Sequence, residues 1–198
     1  MTTPTIAPSF AHRWRAEILA ARPPILPARH FIYPQAVEEV EKGALEVQVF
    51  PAPPSQDSST KHLLDAQSFL ATCALGFRDP SVPTGVWSCP CPEEICMVAG
   101  GYAYVVDTRA PERFSMLEMR PVLTVHAALE AGILLFVGHR TILGWGATGL
   151  AWESTPLSDE GLTVTGIEGN LLRGQGWQML TDREFPFALD LETGQRIE

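Results

Sequence analysis

Short apolar runs separated by glycine turns mark this 198-residue sequence as an all-β chain of antiparallel meanders, with a short helical N-terminal extension. Three observations carry that reading. From Leu63 onward the apolar stretches are a few residues long and alternate or run continuously, as strands do. Five of the breaks between them are two to three residues long and carry glycine, too short for the crossover helix that a parallel sheet needs. Composition also shifts near residue 60. Residues 1–60 hold nine of the 17 prolines and one of the 16 glycines, whereas residues 61–198 hold the other 15 glycines. Proline suits extended connectors and glycine supplies tight turns. The chain is therefore read as a proline-rich, partly helical extension over 1–60 that packs on a β-meander domain over 61–198.

Taking the elements in order, Ser9 is placed as the cap of a helix reaching Ala21, with Phe10, Trp14, Ile18 and Ala21 on one face. Pro23 ends it. A second helix starts at Pro34, carries Val37 and Val40 three residues apart, and stops at Gly43 after Lys42. Ala44–Phe50 alternates Leu45, Val47 and Val49 with Glu46 and Gln48, which is a half-buried strand. Pro51–Thr60 reads as loop. Strands follow at Ser68–Phe77, Val86–Cys89, Ile95–Ala99, Ala103–Asp107, Phe114–Glu118, Val122–Ala128, Ile133–Val137, Thr141–Trp145, Leu150–Glu153, Leu162–Ile167, Leu171–Gly176 and Phe185–Leu191.

A weak repeat runs through this region. Aligning Asp107, Trp145 and Asp190 gives spacings of 38 and 45, near the length of a propeller blade. About three such units fit, and a closed propeller needs about four to eight. The expected architecture is therefore a sandwich, half-open barrel or propeller-like set of sheets. Any bare edge would be covered by the N-terminal segment or by pairing with a second chain.

With 14 Lys+Arg against 23 Asp+Glu the formal charge is −9, which disfavours nucleic acid as partner and favours a basic one. Residues 1–30 show no signal-peptide core, and the run Ala131–Gly138 is far short of the roughly 20 residues needed to span a bilayer. A cytoplasmic protein without membrane contact is expected. Arginine outnumbers lysine 12 to two, a bias that hints at a GC-rich bacterial source.

Several residues are candidates for chemistry. Cys89-Pro90-Cys91 with Cys96 places three thiols within eight residues. Alternation sets Cys89 and Cys91 on one side, as a chelating pair would need. Against a zinc site, the spacing is not C-x₂-C, and Cys73 and Cys96 sit in apolar strand patterns where a thiol behaves as a small core residue. His126 shares a strand face with Val122 and Thr124 and is a candidate base. His139 and Arg140 occupy an exposed hairpin turn and are candidate binding residues, as is Trp145. Asp107, Glu153, Glu184 and Asp190 lie at strand ends. Among them Asp107 and Asp190 are the candidate acids, although such carboxylates commonly organise turns. Trp87, Trp145, Trp152 and Trp177 fill a core or, if exposed together, make a stacking surface.

Nucleophile and nucleotide motifs are missing: there is no G-x-S-x-G, no Walker A loop and no H-E-x-x-H. Gly144–Gly149 matches G-x-G-x-x-G, but Leu150–Glu153 after it reads as strand rather than helix, so a hairpin is expected there. The function expected is non-catalytic recognition of a protein partner or self-association, with no cofactor. The alternative is a metal-dependent or acid/base hydrolase using Cys89, Cys91, His126 or the strand-end carboxylates.

Overall fold

The computed structural model describes residues 4–34, 40, 43–52 and 67–197. It is 53% strand and 1% helix, so the all-β expectation holds. In chain order the strands are β1 (Thr5–Ala7), β2 (Trp14–Leu19), β3 (His30–Tyr33), β4 (Ala44–Pro51), β5 (Phe69–Ala74), β6 (Gly85–Ser88), β7 (Glu94–Ala99), β8 (Tyr102–Asp107) and β9 (Phe114–Met116). They continue with β10 (Thr124–Ala128), β11 (Ile133–Val137), β12 (Ile142–Gly146), β13 (Gly149–Glu153), β14 (Leu162–Glu168), β15 (Leu171–Gln178), β16 (Arg183–Asp190) and β17 (Arg196–Ile197).

These strands make four sheets: sheet I, β2-β4-β5-β3; sheet II, β1-β6-β7-β8-β9; sheet III, β10-β11-β12-β13; and sheet IV, β14-β15-β16-β17. Every pair formed between β6 and β17 is an antiparallel neighbour in sequence, as short glycine turns require. The sheets stack face on face in the order I, II, III, IV, and they do not close into a barrel.

The period-2 alternation of side chains builds the stack. In β7, Ile95, Met97 and Ala99 face sheet I, where they meet Val47, Val49, Phe69 and Ala71. Cys96 and Val98 of the same strand face sheet III, where they meet Leu134, Phe136, Leu143 and Trp145. Sheet III does the same again: Ile133, Leu135, Val137 and Ile142 turn toward Leu172, Phe187 and Leu189 of sheet IV. Sheets II and III are thus apolar on both faces, which explains why their strands read as continuous hydrophobic runs. Gly144 is needed in β12 because the Trp152 ring lies against it; a Cβ there would sit 2.5 Å from Trp152 Cε2.

The N-terminal region differs from expectation. The helix over Ser9–Ala21 is not formed; β2 lies within that stretch and β1 precedes it. A spacing of four places residues on one face of a helix and equally on one face of a strand. Trp14, Ala16 and Ile18 therefore point into the core while Arg15 and Glu17 stay exposed. The second expected helix falls largely on residues 35–39, 41 and 42, outside the described residues. The N-terminal segment also supplies the only parallel pairs among the described strands, β1 on β6 and β3 on β5. With β1, it covers the edge of sheet II that β6 would otherwise expose. In sheet I the buried carboxylate of Glu46 is held by Arg22 at 2.8 Å and by the Thr72 hydroxyl. Among the described residues no helix is long and apolar enough to cross a membrane.

Candidate functional site

The expected site residues do not converge. Asp107 and Asp190 organise turns. Asp107 accepts the backbone N–H groups of Arg109 and Ala110 and pairs with Arg113. Asp190 accepts the N–H groups of Glu192 and Thr193, each at 2.9 Å. His126 lies on β10, where its Nε2 is 3.0 Å from Thr124 Oγ1 and burial lowers its pKa. No hydrogen bond or ion pair joins any two of His126, Asp107 and Asp190. His139 and Arg140 sit exposed in the turn between β11 and β12. Glu184 is exposed on β16, opposite Trp177.

Cysteine placement follows packing. Cys89 and Cys96 are buried in the core between sheets II and III, and burial pushes both thiols upward. Cys73 is buried on the sheet I side, with its Sγ 3.7 Å from Met97 Sδ. Cys91 alone is half-buried, 3.9 Å from Glu93 Oε2. Among the described residues no three His, Cys, Asp or Glu side chains come together as a ligand set. The tryptophans do not form one exposed surface either. Trp145 and Trp152 are buried, and the indole N–H of Trp152 donates to the Leu191 carbonyl. The glycine-rich stretch 144–149 is the β12–β13 hairpin.

Two of the expected residues, Trp145 and Glu153, do meet, in a cleft of about 620 Å³ where the outer strands of sheets II and III splay apart. One wall is β9 and the chain after it, with Ser115, Met116, Glu118 and Met119. The other is β12 and β13, with Thr141, Leu143, Trp145, Leu150 and Glu153. The positions follow from register. Thr141, Leu143 and Trp145 alternate onto the face of sheet III turned toward sheet II, and Leu143 and Trp145 pair across the hairpin with Glu153 and Leu150.

At the floor stands Glu94, the first residue of β7. Its Oε2 accepts the Trp145 indole N–H at 2.9 Å. Burial raises the Glu94 carboxyl above its ordinary range; the Trp145 hydrogen bond opposes that, and the nearby charge of Asp107 adds to it. Glu153 at the rim accepts the Thr141 hydroxyl at 3.1 Å. Three carboxylates, those of Glu94, Glu118 and Glu153, therefore line a cleft whose lining contains no Lys, Arg or His. No histidine or thiol lines the cleft beside Ser115, Thr141 or Thr148. What it offers is negative charge above an apolar bed of two methionines, three leucines and an indole.

Glu94 is the residue that sequence reading missed. It follows Glu93 in a turn and carries no motif, and its partner Trp145 lies 51 residues away. Comparison with protein-family models and with curated protein sequences finds no match for this chain.

Proposed function

We propose that this chain is a non-catalytic binding protein, and that the cleft between sheets II and III takes a cationic group presented by a partner protein. One observation carries the reading: three glutamates share the cleft with apolar side chains and no basic residue. A lysine or arginine side chain matches both features, with an aliphatic stem for Leu143, Leu150 and Met116 and a charged head for the carboxylates. Half-buried Glu94 attracts such a head more strongly than a fully solvated carboxylate does. The overall charge of −9 steers basic partners toward the protein and repels nucleic acid.

With this goes a view of the molecule as a bacterial, cytoplasmic protein. Its sheets are propeller-like, and residues 1–60 form an extension packed on 61–198. The arginine-rich composition and the recurring blade-length spacing support it.

Calorimetric titration with an end-blocked octapeptide alternating lysine and threonine tests the binding reading. Expected is saturable binding that weakens as salt rises and weakens again in the Glu94→Gln, Glu153→Gln double variant. Equal binding of the matching glutamate–threonine peptide, or binding that the double variant leaves unchanged, would overturn it.

A further inference from the structure

Resting on that cationic reading of the cleft, we infer that its ligand is an extended polypeptide segment that adds as a strand to the free edge of β13.

The placement of β13 carries this. It is the outermost strand of sheet III, and no other described strand pairs with its far side. It spans five residues, Gly149–Glu153, with no proline or lysine and with one bulge opposite Gly144 and Trp145. Leu150 is 57% exposed, and Ala151 and Glu153 are exposed as well; Trp152 is buried against sheet IV, and among the described residues the cleft side of this strand is uncovered. Its backbone offers a row of unpaired N–H and C=O groups along the mouth of the cleft, because Gly149, Leu150 and Glu153 are themselves part of the lining. Opposite stands β9, the outer strand of sheet II, whose far side is also unpaired. The cleft is thus a slot between two sheet edges with acid at its floor and rim.

A single small cation would use only the carboxylates and leave both edges bare. A strand of polypeptide uses both features. Its backbone continues the β13 ladder, and alternate side chains turn onto the cleft face, where a bulge at Ala151 brings Leu150 and Glu153 to one side although they are three residues apart. Basic residues at every second position therefore fit, with the intervening residues turned toward the face that carries Trp152. Of the two edges, β13 is the better template: β9 has only three residues, too few to set a register.

The test uses the intact protein and the lysine–threonine octapeptide with three companions. Two are N-methylated at alternate residues, one at the lysines and one at the threonines. The third is spermine, which has charge but no peptide backbone. A strand directs the N–H groups of alternate residues to one edge, so only one of the methylated peptides loses the donors facing β13. Strand addition predicts that one methylated peptide binds about tenfold or more weakly while the other keeps the parent affinity. It also predicts slowed amide exchange within 149–153 in the parent complex. If both methylated peptides bind as the parent does, or spermine matches the parent, strand addition is overturned and the cationic reading stands. If neither the parent peptide nor spermine binds, both are overturned.

Discussion

Replacing Glu94 by glutamine separates the cost of the cleft from its use. Glutamine keeps an oxygen to accept the Trp145 N–H that now lies 2.9 Å from Glu94 Oε2, so the substitution changes charge and little else. Burial raises the folded carboxyl above its ordinary value of 4.5. The native state therefore holds this proton more tightly than the unfolded chain does. The stability this lends is fully present below pH 4.5 and is lost as pH rises through the higher folded value. At pH 4 parent and variant are expected to be equally stable. At pH 7 the variant is expected to be more stable, by less than about 1 kcal/mol once solvent screening of this half-exposed group is allowed for. In a chain of this size that is a rise in Tm of roughly 1–3 °C. Binding moves the opposite way. Removing a charge about 6 Å from a ligand ammonium at an effective dielectric near 20 costs about 2.8 kcal/mol. Halving that for exposure leaves about 1.4, or tenfold in Kd for the lysine–threonine peptide. Scanning calorimetry at the two pH values and titration calorimetry at pH 7 read both effects. A variant less stable at pH 7 than the parent, or one that binds equally well, would refute the reasoning, since the carboxylate would then serve the fold and not the ligand.

Other outcomes follow from the same architecture. Gly85→Ala puts a Cβ within 2.3 Å of the Thr5 carbonyl oxygen, so β1 is expected to leave the edge of sheet II while the stack persists. Loss of two or three hydrogen bonds at about 1 kcal/mol each gives about 2–3 kcal/mol, visible as faster amide exchange at 86–88 with unchanged exchange in β11. Phe136→Ala empties a fully buried site between sheets II and III and is expected to cost about 3–5 kcal/mol in urea unfolding; a loss under about 1 kcal/mol would contradict that packing. Of the four cysteines, Cys91 alone is expected to react with a thiol reagent in the native protein, and slowly, because burial raises its pKa as well. Rapid labelling of Cys73, Cys89 or Cys96 would contradict their burial.

Much of the strand pattern after residue 67 was legible because several of its strands are separated by short glycine turns. Gly100-Gly101 and Glu130-Ala131-Gly132 stand between strands in the structure as expected, and of Glu168-Gly169-Asn170 the last two do, Glu168 ending β14. The turn-forming alternative for Asp107 and Asp190, and the core alternative for Cys73 and Cys96, were also legible, since both rest on local pattern. The N-terminal region misled for a definite reason. Phe10, Trp14 and Ile18 recur every fourth residue, and that interval cannot distinguish a helix face from a strand face; Arg15 and Glu17 between them held the discriminating signal. β1 and β3 were invisible because three or four residues show no period. The order of the stack was also out of reach. Sheets II and III are apolar on both faces, so alternation says nothing about which face meets which neighbour. The cleft depends on that order. Trp145 is legible in the sequence as a core or binding aromatic and Glu153 as a strand-end carboxylate, yet their relation to Glu94 exists only because sheet II lies against sheet III.

The most direct measurement is a ¹H–¹⁵N correlation spectrum of the labelled protein, titrated with the lysine–threonine octapeptide. The Trp145 indole N–H bonded to Glu94 and the backbone amides of Gly149–Glu153 are predicted to shift together and saturate at one peptide per chain. Saturable shifts confined to another face of the stack, with these signals unmoved, would contradict the assignment of this cleft.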